Sequence, residues 1–428
     1  FATVIYTNYW DIAQKESLAC LPLGLALLFF LALAGPGEGG DRASFRRLCF
    51  QAVMAGLFSG LAAQFKPTLG IVLACSLYAA WLFRGRKLRA LAVVALSAAG
   101  FVLAFIPTAV YLVGHDALDP MLNTMVRFGG SYAGRRYQDL VLVLTSPFKS
   151  IIRWAYQWSF LVVLAAIAAA RLWRLDRGVR MAFLFGALLL FQVILQMKFF
   201  SYHWIPLLVP GSLLAARGAG LLLQDIGRAE SAVPLSRRRQ YALSAVLFAL
   251  LLGNLWPDAR RYRRELLYDR GRIDDVNFLA PYGPWGRGDI CPLAMKEAAN
   301  YIDKHTTPPD PILVVGHEMG LYVLAGRFAP TRFAYDQPLV SEAKYLMGKL
   351  SRQALRHEFI KEIDARPPLY ILVIRNDQTS IEPEDSYTQM QAFPELKQRI
   401  DREYALQTII EDYMIYRRLP QGADKGAG

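Results

Sequence analysis

Eight apolar runs fill most of the first 256 positions: 18–34, 48–65, 69–83, 90–113, 151–170, 181–197, 202–223 and 241–256. A helix of about 20 apolar residues crosses the roughly 30 Å hydrocarbon layer of a bilayer. A chain with this spacing is expected to be a polytopic α-helical membrane protein of about eight spans. The runs 48–65 and 69–83 are short and are parted only by Phe65-Lys66-Pro67-Thr68. They read either as a helical hairpin or as one span kinked at Pro67, and their joint length favours the hairpin. Residues 1–17 read as a polar, aromatic lead-in, and 114–150 as a longer polar loop.

Charge orders these runs. The chain has a net charge of +13 and 54% hydrophobic residues, with mean hydropathy +0.25. Such hydropathy points away from a soluble domain. The basic residues gather in alternate loops, at Arg42, Arg46 and Arg47, at 84–89, at 171–180 and at 224–240. The opposing short turns carry one cation each, Lys66 and Lys198. The arginine-rich loops are therefore expected on the cytoplasmic side. Basic residues placed this way do not form a nucleic-acid surface, and no nucleic-acid partner is expected. The lead-in, both lysine turns, the 114–150 loop and the C-terminal part are expected outside. The expected location is the inner (plasma) membrane, multi-pass.

The character of the chain changes after Trp256-Pro257, where the last span is expected to end. Residues 257–420 predict a small extracytoplasmic α/β domain. Helices are expected at Leu293–His305, Glu318–Ala325, Ser341–Asp364 and Pro394–Glu403. Strands are expected at Pro311–Val315, Leu369–Ile374 and Leu406–Arg417. Residues 421–428 read as a disordered tail. The four cysteines show neither metal-ligand spacing nor a disulfide framework.

Polar groups inside or beside apolar runs are the candidates for chemistry. Lys66 reads either as an interface lysine reaching water or as a contact to a lipid phosphate. Lys198, Tyr202 and His203 lie in one turn, Lys198-Phe-Phe-Ser-Tyr-His-Trp-Ile-Pro206. They read either as a phosphate headgroup site or as part of an aromatic belt, to which Trp204 is assigned. Arg135 and Arg136 either clamp a phosphate or acidic substrate or lie on a solvated loop. Glu16 opens the first span; it either complements the helix dipole or stands beside the active site. His115-Asp116 would make a general base or a metal pair only if folded against the membrane site. His317-Glu318, between a strand and a helix, fits a turn better than a nucleotide loop or a metal site.

Four segments taken together carry a resemblance. They are Ala13-Gln-Lys-Glu16, Gly56-Leu-Phe-Ser-Gly-Leu-Ala-Ala-Gln-Phe-Lys66-Pro67, the Lys198–Pro206 turn, and Ile312–Tyr322 with Gly326-Arg327 and Thr331-Arg332-Phe333. In this order they resemble the polyprenyl-phosphate-sugar-dependent membrane glycosyltransferases of the GT-C type. The nearest branch is that of the protein O-mannosyltransferases and the lipid A aminoarabinose transferase. The resemblance implies an inverting transfer from a polyprenyl-phosphate-linked sugar donor to a protein, lipid or glycan acceptor on the outer face. It implies donor contacts from Lys66, Lys198 and Tyr202. It places the catalytic aspartate in an external loop expected upstream of Phe1, in an N-terminal part preceding this sequence. No metal ligands or certain cofactor are assigned, and a divalent metal stays open. Two other classes remain: a transporter or flippase for lipid-linked glycans, and an envelope assembly protein.

Overall fold

The computed structural model describes residues 15–35, 42–122, 140–196, 199, 201–227, 237–279, 291–334, 336–340, 352–378 and 384–420. The chain divides into two compact units, with the later boundary between Tyr262 and Arg263. The expected boundary at 256/257 is therefore displaced, because the helix containing it continues past Pro257 to Asp269.

The first unit contains α1 (Lys15–Ala34), α2 (Arg42–Phe65), a 3-10 segment (Pro67–Ala74) leading into α3 (Cys75–Leu82), and α4 (Lys87–Gly114). After α5 (Leu118–Leu122) come α6 (Leu140–Gln157), α7 (Ser159–Leu172) and α8 (Arg177–Gln196). A second 3-10 segment (Ser201–Leu207) enters α9 (Leu208–Gly227), and α10 spans Arg237–Asp269. Among the described residues five helices are long and apolar enough to cross a membrane, or six if a bent pair counts as one span. Their outward faces are apolar too. Leu21, Leu91, Val110 and Leu195 are exposed, whereas Ala19, Ala26, Ala52 and Ala55 are buried. Helices apolar all round, with small residues inside and large ones outside, suit a lipid surround. The molecule is a helical, membrane-associated protein with a small sheet.

Three expectations for this unit change. The 114–150 loop becomes helical from Leu140, since Leu-Val-Leu-Val-Leu continues the apolar pattern. The span expected at 151–170 is instead two helices meeting at 93° beside Trp158. Trp158 leaves helical geometry there, at φ −111° and ψ 25°. The run 69–83 is the element Pro67–Leu82, too short to count among those five helices, and its first half is 3-10 helix.

The closest helix crossing is written in glycine. A Cβ on Gly56 of α2 would sit 1.8 Å from the Ser97 carbonyl oxygen of α4, and one on Gly60 2.5 Å from that of Phe101. From the other side, a Cβ on Gly100 would sit 2.1 Å from the Val53 oxygen. Small residues four apart let the two backbones touch. Gly56→Ala is expected to destabilise the unit by about 2–3 kcal/mol, because neither backbone can yield as a side chain would. Unfolding in detergent would check this, and a native midpoint would refute the packing.

The second unit takes in Asp119–Leu122 of α5 and the end of α10 from Arg263, and continues with α11 (Asp275–Leu279) and α12 (Pro292–His305). Then follow β1 (Ile312–Val315), α13 (Gly320–Ala325), α14 (Gln337–Val340), α15 (Arg352–Ala365), β2 (Tyr370–Ile374), α16 (Ser386–Gln391), α17 (Pro394–Glu403), β3 (Tyr404–Ile410) and β4 (Tyr413–Arg418). The sheet order is β1-β2-β4-β3, with β1 and β2 parallel and the other pairs antiparallel. Every residue of β1 and β2 is buried, as a strand covered on both faces requires. Ala294, Ala298, Ile302 and Leu321 cover one face. Phe359, Ile363, Phe393 and Leu396 cover the other.

The expected strand Leu406–Arg417 is a hairpin instead. Ile410 pairs with Tyr413 around Glu411, which adopts φ 46°. A glutamate in that conformation gives no sequence signal of the kind Asn-Gly gives. The helix expected from Glu318 starts at Gly320, since Gly316 (φ 147°) and the next three residues make a turn. Residues 341–351 of the expected long helix and the tail 421–428 lie outside the described residues.

Candidate functional site

Pro67 shapes the site. Its ring disfavours helical geometry at the preceding residue, so α2 stops at Phe65 and Lys66 is extended, at φ −155° and ψ 112°. Pro67 then opens the 3-10 segment, where its missing N–H costs nothing. The outcome is a lysine turned into the unit rather than reaching for water. Lys66 Nζ donates to Glu16 Oε1 at 2.6 Å, and the two side chains are 9% and 0% exposed. Glu16 lies in the first turn of α1, where the helix dipole also favours a carboxylate. The dipole and the lysine thus act on the same carboxylate.

His203, on the second 3-10 segment, is buried with Nε2 4.0 Å from the same Glu16 oxygen. The Tyr202 ring meets the His203 ring edge-on at 4.6 Å. Glu16 Oε2 is buried with no hydrogen-bond partner among the described residues. Glu16, Lys66, Tyr202 and His203, chosen from separate stretches of sequence, thus converge. Lys198, Arg135 and Arg136 lie outside the described residues. Trp204 is not a belt residue: it is buried and stacks on Trp154 at 6.0 Å and on Phe199 at 6.4 Å. Phe199 itself has φ 44°, a conformation that non-glycine residues hold only under constraint.

Sequence reasoning missed three neutral groups that meet at Thr68, two residues beyond Lys66. Thr68 Oγ1 donates to Gln192 Oε1 at 2.9 Å, and Gln196 Nε2 donates to Thr68 Oγ1 at 3.3 Å. Gln196 Nε2 also donates to Gln192 Oε1 and to the Gln192 carbonyl. Gln192 is buried, and its Nε2 has no acceptor among the described residues. Exchanging its amide nitrogen and oxygen would set donor against donor at Gln196, so an unaccepted amide remains. Two glutamines one turn apart in an apolar helix were the available signal.

The other sequence candidates have local roles. His115 Nδ1 bonds the Tyr111 carbonyl at 2.8 Å in an exposed place. Arg327 is buried and ties the carbonyls of Ala325 and Thr306 together. Arg332 makes a bidentate pair with Glu358, at 2.7 Å for each bond. His317-Glu318 forms the expected turn after β1. The Glu318 carboxyl, 3% exposed, is pushed up to about 8, chiefly by burial and then by the charge of Asp377, while His317 opposes the shift. Asp377 follows β2 and accepts from Ser386 N at 2.7 Å and Ser386 Oγ at 2.6 Å. Among the described residues no three His, Cys, Asp or Glu side chains group as metal ligands.

No protein-family model matches this chain, and no curated protein matches it in sequence.

Proposed function

We propose that the protein is a membrane glycosyltransferase that takes its sugar from a polyprenyl-phosphate donor and delivers it to an acceptor on the outer face. The observation that carries this reading is the buried Lys66, held by Glu16 where an apolar helix ends. A polyprenyl phosphate keeps its chain in lipid and its headgroup at the interface. A lysine at a helix end meets it there, and its remaining N–H donors stabilise charge on the leaving phosphate. Tyr202 and His203 border the same place, and the unaccepted Gln192 amide finds its acceptor in a sugar hydroxyl. Lys198, Arg135 and Arg136 lie outside the described residues and stay candidates by sequence for the same phosphate.

The test uses full-length protein in vesicles with a lipid-linked sugar. Lys66→Met is expected to lower turnover roughly 100-fold or more, the scale of losing one charge-stabilising donor. Unchanged turnover would end the phosphate role. A second reading, a carrier of lipid-linked glycans, draws on the 3-10 interruption at Pro67–Ala74 and the 93° bend beside Trp158, since carriers use broken helices. The same vesicles separate the two: a carrier moves labelled donor across the bilayer without forming glycosylated acceptor.

A further inference from the structure

The first unit has a second polar place, built from the arginine-rich loops. A cavity of about 220 Å³ is lined by Leu33, Gly35, Leu82, Phe83, Arg86 and Arg177, with Gly85. These residues come from the ends of α1 and α3, the turn before α4, and the start of α8. The space far exceeds that of one water. Its lining sets the side chains of Leu33, Leu82 and Phe83 beside two arginines, the pattern of an amphiphile's neck and head.

The charges at this place are unbalanced. Arg86 and Arg177 are both exposed, and neither forms an ion pair among the described residues. The nearby acid, Asp176, is already engaged: Oδ2 accepts from Arg217, and Oδ1 accepts the N–H groups of Gly178 at 2.7 Å and Val179 at 3.2 Å. Arg84 lies over the Trp81 ring at 4.5 Å and does not line the cavity. The carbonyl ends of α1 and α3 point a partial negative charge this way, which disfavours an anion by a fraction of a charge each. Two full guanidinium charges outweigh that, and each presents a fork suited to phosphate oxygens.

We propose that this cavity binds the phosphate-bearing headgroup of an anionic membrane lipid, with Arg86 and Arg177 on the phosphate and Leu33, Leu82 and Phe83 against the glycerol and first acyl carbons. Basic pockets between membrane helices on the arginine-rich side take anionic headgroups for this reason. The site is distinct from the Glu16–Lys66 place and does not depend on its function. Occupancy would tie together the ends of three helices.

The experiment places the protein in phosphatidylcholine nanodiscs with increasing phosphatidylglycerol, and counts retained lipid by native mass spectrometry after extraction. The protein is expected to retain phosphatidylglycerol and to gain thermal stability as its fraction rises. The Arg86→Gln/Arg177→Gln variant is expected to bind it roughly thirtyfold more weakly, at about tenfold or less per cation lost from a surface site. Arg84→Gln is expected to behave like the parent, which separates a built site from a general effect of charge. Equal loss in Arg84→Gln, or none in the double variant, would overturn the proposal. Equal stabilisation by inorganic phosphate without anionic lipid would also overturn it, as the mark of a free-anion site. If the double variant fails to fold, Arg86→Lys/Arg177→Lys is used: it keeps the charges but loses the forks, and unreduced retention by it would refute the bidentate contact.

Discussion

Lys66→Met is expected to be among the most destabilising single changes in the membrane-associated unit, costing about 3–5 kcal/mol. The cost does not come from lost packing, because methionine fills nearly the same volume. It comes from Glu16, left fully buried beside a thioether that cannot donate to it. Adding Glu16→Gln to Lys66→Met removes the stranded charge and is expected to restore most of the stability while leaving the proposed donor transfer roughly 100-fold or more below the parent. Unfolding midpoints of the two variants in detergent, with turnover in vesicles, separate the structural work of the pair from its chemical work. Were the single variant as stable as the parent, the two groups would not depend on one another. Were the double variant active, Lys66 would not serve the phosphate.

The second large effect is in the sheet unit and depends on pH. Folding lifts the Glu318 carboxyl from the usual glutamate range to about 8, mainly through burial. Between those values the folded chain holds a proton that the unfolded chain releases. Stability is therefore full below the ordinary glutamate range, falls as pH rises toward about 8, and is level above it. The whole change is on the order of 5 kcal/mol, since each tenfold change in proton affinity is worth about 1.4 kcal/mol. Glu318→Gln imitates the protonated form, so it is expected to flatten this slope and to exceed the parent in stability above pH 8. Hydrogen exchange at the β1 and β2 amides of the intact chain, from pH 5 to pH 9 and corrected for intrinsic rates, reads the effect. An unaltered slope in Glu318→Gln would assign it to other groups.

Much of the fold is legible in the residues because period and punctuation agree with it. Pro394–Glu403 is opened by its proline and shows apolar residues at helical spacing, Leu396 and Ile400. The buried strands Ile312–Val315 and Tyr370–Ile374 are marked by continuous apolar runs. Other features depend on partners distant in sequence. The hairpin turn at Glu411 uses a backbone conformation that its residue type does not advertise. Trp204 looks like an interface residue until Trp154 comes to lie against it. The Glu16–Lys66 pair joins residues 50 positions apart, and a lone lysine before proline says only that it needs some partner. Gln192 stands out as a glutamine in an apolar helix, but its partner Thr68, 124 positions away, does not show in the residues.

The contact of α2 with α4 through Gly56, Gly60 and Gly100 leaves no layer of side chains in which the helices can shear. The two must translate and rotate as one strut, and Lys66 rides on its end. Two residues beyond that end, the Thr68 hydroxyl joins it to the amides of Gln192 and Gln196 on α8.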